Sequence, residues 1–267
     1  MPTIGIFDSG IGGLSVLRAL RTQLPHADLV YFGDNAHIPY GPRPLAEVRA
    51  FSEAITRFLL AQGAQVVVVA CNTASAAALK YLRETFPAAP FVGMEPAVKP
   101  AAELTRSRVV GVIATPTTFQ GELFASVVDR FAQGVTVLTQ TCPGLVEQIE
   151  AGRADSPETK TILRESLAPL RAQKMDTLVL ACTHYPFARK AIEMIVGPEV
   201  TIVDPAPAVA RQAARVVAAS GEGDGRTILV TSSEAERLAQ FAKRVVGVSG
   251  AIERAAWSEN ALVALQH

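Results

Sequence analysis

Cys71 stands where a short apolar run gives way to small polar residues. The preceding residues 66–70 are four valines and an alanine, which is typical of a central parallel strand covered on both faces. Asn72, Thr73 and Ser75 are residue types that cap helix N-termini, so a helix is expected to begin directly after the cysteine. Open α/β sheets bind ligands at such strand ends, and the positive end of a helix favours thiolate over thiol. This position predicts a reactive cysteine.

The same pattern returns at Cys182, which closes the apolar run 177–181 and precedes Thr183. The two cysteines are 182 − 71 = 111 positions apart, and the block 5–7 is echoed at 111–113. Similar offsets at separate landmarks indicate an internal repeat. We therefore expect two pseudo-symmetric α/β domains with mostly parallel sheets and an active site in the cleft between them. Inert core cysteines would explain either site alone, but the repetition with polar neighbours favours reactive ones.

Length and composition narrow the class of protein. The chain has 267 residues, 49% of them hydrophobic, which fits one large or two ordinary α/β domains. Its formal net charge is zero and it has no basic run, so we expect a small-molecule substrate rather than a nucleic acid. Without a leader pattern or an apolar run of membrane length, we expect a cytoplasmic protein with no membrane partner. Three cysteines without a C-x-x-C pair argue against a disulfide framework and a structural zinc site, and Cys142 is left as the remainder.

A glycine-rich turn at 8–13 follows the predicted strand 3–7. It is not a dinucleotide fingerprint, because the last position of that motif needs Gly or Ala and here is Ser15. Glycines in such a turn let the backbone approach a small ligand closely. Asp8 could bind an ammonium group or orient a base, but Asp8 and Ser9 could also simply cap the following helix.

Two further loops carry polar residues after predicted strands. The loop 34–42 is rich in Pro and Gly, as functional loops on rigid scaffolds often are, and His37 by itself reads as an exposed polar residue. In the second half, the hydroxyls of Thr115 and Thr118 could hold a carboxylate or could equally cap a helix.

The remaining pattern predicts a regular alternation of strands and helices. Further strands are expected at 29–33, 91–94, 109–114, 135–138, 200–203 and 227–231. Helices are expected at 14–24, 119–131, 205–219 and 232–245, with a flexible turn at 221–225. Pro169 is expected to kink or break the helical segment 162–171. The last twenty residues carry little pattern.

Taken together, these motifs resemble the bacterial glutamate racemases, members of the cofactor-independent aspartate/glutamate racemase superfamily. The matching blocks are Asp8-Ser9-Gly10, Gly33-Asp34 with Pro39-Tyr40-Gly41, Ala70-Cys71-Asn72-Thr73-Ala74 and Ala181-Cys182-Thr183-His184-Tyr185-Pro186. The resemblance implies interconversion of L- and D-glutamate without pyridoxal phosphate, metal or nucleotide. The D form would serve peptidoglycan synthesis.

The resemblance also implies which residues form the site and how the chain divides. It gives Cys71 and Cys182 the acid/base roles. The implied substrate-binding residues are Asp8, Ser9, Tyr40, Gly41, Asn72, Thr73, Thr115, Thr118, Glu150, Thr183 and His184. It implies a discontinuous first domain, 1–96 plus 205–267, and a second domain, 97–204. It leaves room for a homodimer. The sequence departs from the family pattern at Asn35, His37 and Gly144.

Two thiols suit racemisation because one group must remove the α-proton while another delivers a proton to the opposite face. A thiol has a pKa of about 8.5, so its surroundings can favour either form near neutral pH. Asp8 and His184 are placed to assist Cys71 and Cys182, respectively. Two alternatives stay open: a superfamily racemase acting on aspartate or a hydantoin, and a non-enzymatic, two-lobed protein that binds a small ligand.

Overall fold

The structure, a computed structural model, describes residues 3–217, 224–247, 252–258 and 261–265. It separates into two compact units, the described parts of Met1–Met94 with Ala206–His267, and Glu95–Pro205. These boundaries lie within two residues of the predicted ones. We refer to them as unit 1 and unit 2.

The described residues form strands that match most of the predicted positions. In chain order they are β1 (Thr3–Asp8), β2 (Asp28–Gly33), β3 (Ala64–Val69), β4 (Phe91–Gly93), β5 (Val109–Ala114), β6 (Thr136–Thr141), β7 (Thr177–Ala181), β8 (Thr201–Val203), β9 (Thr227–Thr231), β10 (Glu253–Ser258) and β11 (Ala261–Leu265). The hairpin β10–β11 was not predicted.

Helices connect these strands. They are α1 (Leu14–Gln23), α2 (Leu45–Ala61), α3 (Asn72–Thr85), α4 (Val98–Leu104), α5 (Pro116–Gln120), α6 (Glu122–Phe131), α7 (Leu145–Glu150), α8 (Pro157–Ala172), α9 (Arg189–Val196), α10 (Ala206–Val217) and α11 (Ala235–Val246), with a 3₁₀ turn at Tyr185–Ala188. In the part of the chain that is described, no helix is both long and apolar enough to cross a membrane.

The sheet of unit 1 has the strand order β11-β10-β9-β2-β1-β3-β4, and its pairs are parallel except for β10 with β11. Strands from the C-terminal part of the chain thus extend the sheet that the N-terminal part begins. On this sheet Phe7, Val67 and Val69 share one apolar cluster with Ile55 of α2 and Leu82 of α3. Burying each such aliphatic side chain contributes roughly 1.5–3 kcal/mol, which explains why the valine run forms a central strand.

The sheet of unit 2 has the order β6-β5-β7-β8 with all pairs parallel. Unit 1 contains the same order in β2-β1-β3-β4. The repeat indicated by the sequence offsets is therefore a repeat of strand order, in which β3 and β7 occupy equivalent places. The α/β class with mainly parallel sheets is confirmed.

Two local predictions differ from the structure. The helix expected at 119–131 is two helices, because Gly121 takes an extended conformation (φ −73°, ψ 141°) between α5 and α6. A break at Pro169 is wrong, since α8 continues to Ala172. Pro169 stands in the last turn, so its missing N–H removes one hydrogen bond close to the point where α8 ends. The predicted turn 221–225 and the end of the helix 205–219 fall largely outside the described residues.

Candidate active site

Cys71 lies between the end of β3 and the start of α3, as predicted, and it is buried. Its own sulfur caps the helix, since the Ala74 N–H donates to Cys71 Sγ at 3.4 Å. Asn72 and Thr73 are residue types that favour the N-cap position, but here they lie inside the first turn of α3. An N–H donor and the positive end of a helix both stabilise negative charge on this sulfur.

Asp8 ends β1, the strand that pairs with β3 through Phe7 and Val69. The Ala70 N–H also donates to the Phe7 carbonyl at 2.8 Å, so Asp8 and Cys71 leave adjacent strands at the same edge of the sheet. Asp8 is fully buried, and its Oδ2 accepts from the Gly10 N–H at 3.1 Å.

The glycine-rich turn leaves room for the Asp8 side chain because Gly13 has no side chain of its own. The N-cap residue of α1 is Gly13, which makes no side-chain hydrogen bond, so α1 begins several residues after Asp8 and Ser9. A Cβ on Gly13 would lie 2.6 Å from Asp8 Cβ and 3.0 Å from the Tyr31 hydroxyl. Gly13 is therefore required for close packing and not for an unusual backbone angle.

Tyr40 and Gly41 are buried in the loop after β2. The Tyr40 hydroxyl donates to Asp34 Oδ2 at 2.6 Å. Burial raises the pKa of Tyr40 well above its ordinary value of 10, and the negative charges of Asp34, Cys71 and Asp8 raise it further. Tyr40 therefore stays protonated and keeps its orientation toward Asp34.

Asn72 is 3% exposed, yet both polar atoms of its amide make no hydrogen bond with the described residues. Buried amides are normally satisfied, because leaving them unpaired costs about 1–3 kcal/mol each. An unpaired, buried amide beside Cys71 thus indicates a place for polar ligand atoms. Ser9 and Thr73 are also buried in this half of the candidate site.

Cys182 follows β7, and it too is buried, at 6% exposure. Unlike Cys71 it does not cap a helix, because a turn and the 3₁₀ segment Tyr185–Ala188 come before α9. Instead, His184 Nδ1 lies 3.9 Å from Cys182 Sγ. Its other ring nitrogen, Nε2, lies 2.7 Å from Glu150 Oε1 at the end of α7.

The chain Glu150–His184–Cys182 is almost fully buried. Burial by itself would lower the pKa of His184, but hydrogen bonds with Cys182 and Glu150 and their negative charges raise it well above its ordinary value of 6.5. His184 is therefore positively charged at neutral pH. A cation beside Cys182 stabilises the thiolate, as the helix N-terminus does for Cys71.

Thr115 and Thr118 hydrogen bond to each other through their hydroxyls at 3.0 Å. The Thr115 side chain does not cap α5, so of its two predicted roles the capping one is wrong. Thr118 and Thr183 are buried. The predicted site residues in the second half of the chain all belong to unit 2: Thr115, Thr118, Glu150, Cys182, Thr183 and His184.

Cys142 is a buried thiol of another kind. Burial raises its pKa to about 12, and a negative charge on Cys182 acts in the same direction, while hydrogen bonds with Ser166 and Tyr185 oppose them. It stays protonated at neutral pH, which agrees with leaving it out of the acid/base pair.

The three departures from the family pattern have local explanations. Gly144 has φ 82° at the start of α7, a backbone conformation that strains other residues. Asn35 Oδ1 accepts from the Thr231 hydroxyl at 3.0 Å. His37 is not simply exposed: its ring stacks on Phe51 with centroids 4.0 Å apart.

Known proteins resemble this chain over most of its length. A family model described as Asp/Glu/Hydantoin racemase matches residues 12–213. A glutamate racemase of Roseiflexus sp. (strain RS-1) is 51% identical over 248 residues, covering 91% of each chain.

Two crystal structures have the same fold along nearly the whole chain. Escherichia coli glutamate racemase in complex with L-glutamate and the activator UDP-MurNAc-Ala gives a TM-score of 0.84 at 31% identity, covering 99% of both chains. Francisella tularensis glutamate racemase in complex with D-glutamate gives 0.83 at 26%, covering 96% of this chain and 97% of that one. The matched sequence model, the curated relative and the shared fold all lead to one conclusion: this chain belongs to the Asp/Glu/hydantoin racemase family.

Proposed function

We propose that the protein is a glutamate racemase in which Cys71 and Cys182 exchange protons at opposite faces of the substrate α-carbon. One observation carries this proposal: β3 and β7, equivalent strands of the two units, each end in a buried thiol with its own charge-stabilising group. The relatives named above are glutamate racemases, and the two solved ones hold L- and D-glutamate, respectively.

The surroundings of each thiol support its acid/base role. At Cys71, the Ala74 N–H and the start of α3 stabilise the thiolate, and Asp8 ends the adjacent strand. At Cys182, the charged ring of His184 stabilises the thiolate. Glu150 holds Nε2 of this ring, so that Nδ1 faces the sulfur. By the family assignment, Cys182 removes the proton of L-glutamate while Cys71 delivers one. The roles reverse for D-glutamate, because the reverse reaction passes through the same transition state.

Fixed hydrogen-bond donors would stabilise the carbanion-like transition state and hold the two carboxylates of glutamate. The unpaired amide of Asn72 is one such group. The hydroxyls of Thr73 and Thr183, which are close to the thiols in sequence, are buried and add others, as does the buried hydroxyl of Thr118 in α5.

In this proposal D-glutamate is supplied for peptidoglycan synthesis. A cytoplasmic location and assembly into a homodimer stay predictions from the sequence. Sedimentation of the purified protein would measure the second.

Turnover in deuterated water tests the two-thiol proposal directly. With L-glutamate as substrate at low conversion, the D-glutamate formed should carry deuterium at the α-carbon almost completely, because the delivering thiol has exchanged with solvent. The remaining L-glutamate should stay largely protium. Mass spectrometry after chiral separation measures both.

A single base acting on both faces would carry the original proton across. Substantial protium in the earliest product would therefore refute the paired thiols, even if the protein racemises glutamate. L-Aspartate serves as the comparison substrate: preferential turnover of aspartate would instead favour the aspartate-specific alternative.

The pH dependence of kcat/KM should be bell-shaped, because the doubly protonated and the doubly deprotonated thiol pairs are both unproductive. The raised pKa of His184 keeps its ring charged at pH values above 6.5, the ordinary pKa of histidine. The rate should therefore begin to fall only well above that pH. Initial rates in both directions measure the profile. A rate that rises steadily to high pH would contradict it.

A further inference from the structure

The buried carboxylate of Asp34 connects distant parts of unit 1. Its Oδ2 accepts from the Tyr40 hydroxyl at 2.6 Å and contacts His37 Nδ1 at 3.0 Å. Its Oδ1 accepts from the Ser232 hydroxyl at 2.6 Å and from the Trp257 indole N–H at 2.8 Å. Asp34 is 0% exposed, so these four contacts replace the water that a carboxylate would otherwise bind.

The four partners come from three separate segments. Tyr40 and His37 belong to the loop after β2, Ser232 follows β9, and Trp257 lies on β10. Trp257 is 223 positions from Asp34 in the chain. The C-terminal hairpin is thereby connected to the loop that carries Tyr40 and Gly41.

Aromatic packing strengthens this connection. The His37 ring lies 4.8 Å from the Trp257 ring, edge to face, and stacks on Phe51 of α2. The Trp257 and Phe51 rings are 5.5 Å apart. Edge-to-face and stacked pairs of this kind favour one ring orientation, so the indole N–H is held toward Asp34.

The geometry points to Trp257 as a positioning residue for the substrate-binding loop: its N–H fixes the Asp34 carboxylate, which in turn fixes the Tyr40 hydroxyl. This inference rests on the proposed function and on the family resemblance, which implies that Tyr40 and Gly41 bind the substrate. Buried charges often contribute little net stability, whereas small displacements of binding groups weaken catalysis strongly. We therefore expect the effect of Trp257 to appear in substrate binding.

Trp257→Phe tests the role because phenylalanine keeps an aromatic ring against His37 while the N–H donor to Asp34 is lost with the five-membered ring of the indole. Loss of a hydrogen bond to a charged group should raise KM for glutamate about tenfold, with kcat changed much less. A merely structural role would instead reduce the folded fraction, which lowers the apparent kcat and leaves KM unchanged.

A double-mutant cycle with Tyr40→Phe identifies the route of the effect. If Trp257 acts through Asp34 on the Tyr40 hydroxyl, then Trp257→Phe should change KM by no more than about twofold in the Tyr40→Phe background. Fold-changes that multiply would overturn the inference. Val263→Ala, at an exposed position of β11 in the same hairpin, is the matched control and should leave KM unchanged.

If circular dichroism shows that Trp257→Phe does not fold, Ser232→Ala removes the other donor to Asp34 Oδ1 and is expected to raise KM in the same way. An unchanged KM in the folded variant overturns the inference. Wild-type turnover of glutamate is measured in the same assay and tests the proposed function alone. An active wild type with an unaffected variant therefore contradicts only the role of Trp257.

Discussion

Replacing Cys71 or Cys182 by alanine is expected to lower kcat for glutamate racemisation by about 10²- to 10⁴-fold, the range typical of a lost acid/base group. Each thiol serves one face of the α-carbon, and no other titratable sulfur can take its place, since Cys142 keeps its proton at neutral pH. The accompanying loss in kcat/KM should be equal in both directions, because the equilibrium constant between the enantiomers is one. Coupled assays for each enantiomer would measure it.

Cys142→Ala is the matched control, because it removes the same atoms from an equally buried position. It should retain nearly full activity, and thermal unfolding of all three variants would show whether the fold is intact. A Cys71 or Cys182 variant that folds and keeps more than a few per cent of wild-type turnover would contradict the assignment of two thiols.

His184→Asn should lower kcat/KM by about 10²-fold or more, because the variant loses the cation that stabilises the Cys182 thiolate. The equilibrium constant between enantiomers is one, so kcat/KM must fall by the same factor in both directions. The two directions can differ only in the separate values of kcat and KM, and not in their ratio. Steady-state kinetics from each enantiomer would measure these values.

Glu150→Gln separates the charge of Glu150 from its hydrogen bond. The amide oxygen can still accept from His184 Nε2, but the negative charge that raises the pKa of His184 is lost. His184 would then lose its proton at a lower pH, so the deficit in kcat/KM should grow as pH rises. A deficit that is constant from acidic to alkaline pH would show that Glu150 does not act through the charge of His184.

The positions of the two thiols at strand ends were predictable because the sequence patterns that mark a strand end are local. A valine run such as 66–69 needs cover on both faces, and the polar residues after Cys71 then mark a strand end whatever the rest of the chain does. The repeat at Cys182 made the α/β class and the paired sheets predictable as well. Helix ends were less certain, as the break at Gly121 illustrates.

The sequence predicted that His184 assists Cys182, but only the tertiary structure placed Glu150 against His184. Glu150 and His184 are 34 positions apart, and their contact depends on how α7 packs near the end of β7. The sulfur of Cys71 caps α3 while Cys182 relies on an imidazole, a difference that the matching sequence motifs conceal.

By itself, the sequence determined the strands apart from β10 and β11, the class of fold and the positions of Cys71 and Cys182, because each follows from residues close together in the chain. Only the tertiary structure placed Trp257 and Ser232 on the carboxylate of Asp34. Their stretches carry no local signal of this contact, since it arises when β9 and β10 pair beside β2. Hydrogen bonds across such sequence distances depend on the strand order of the whole sheet, which no local pattern encodes.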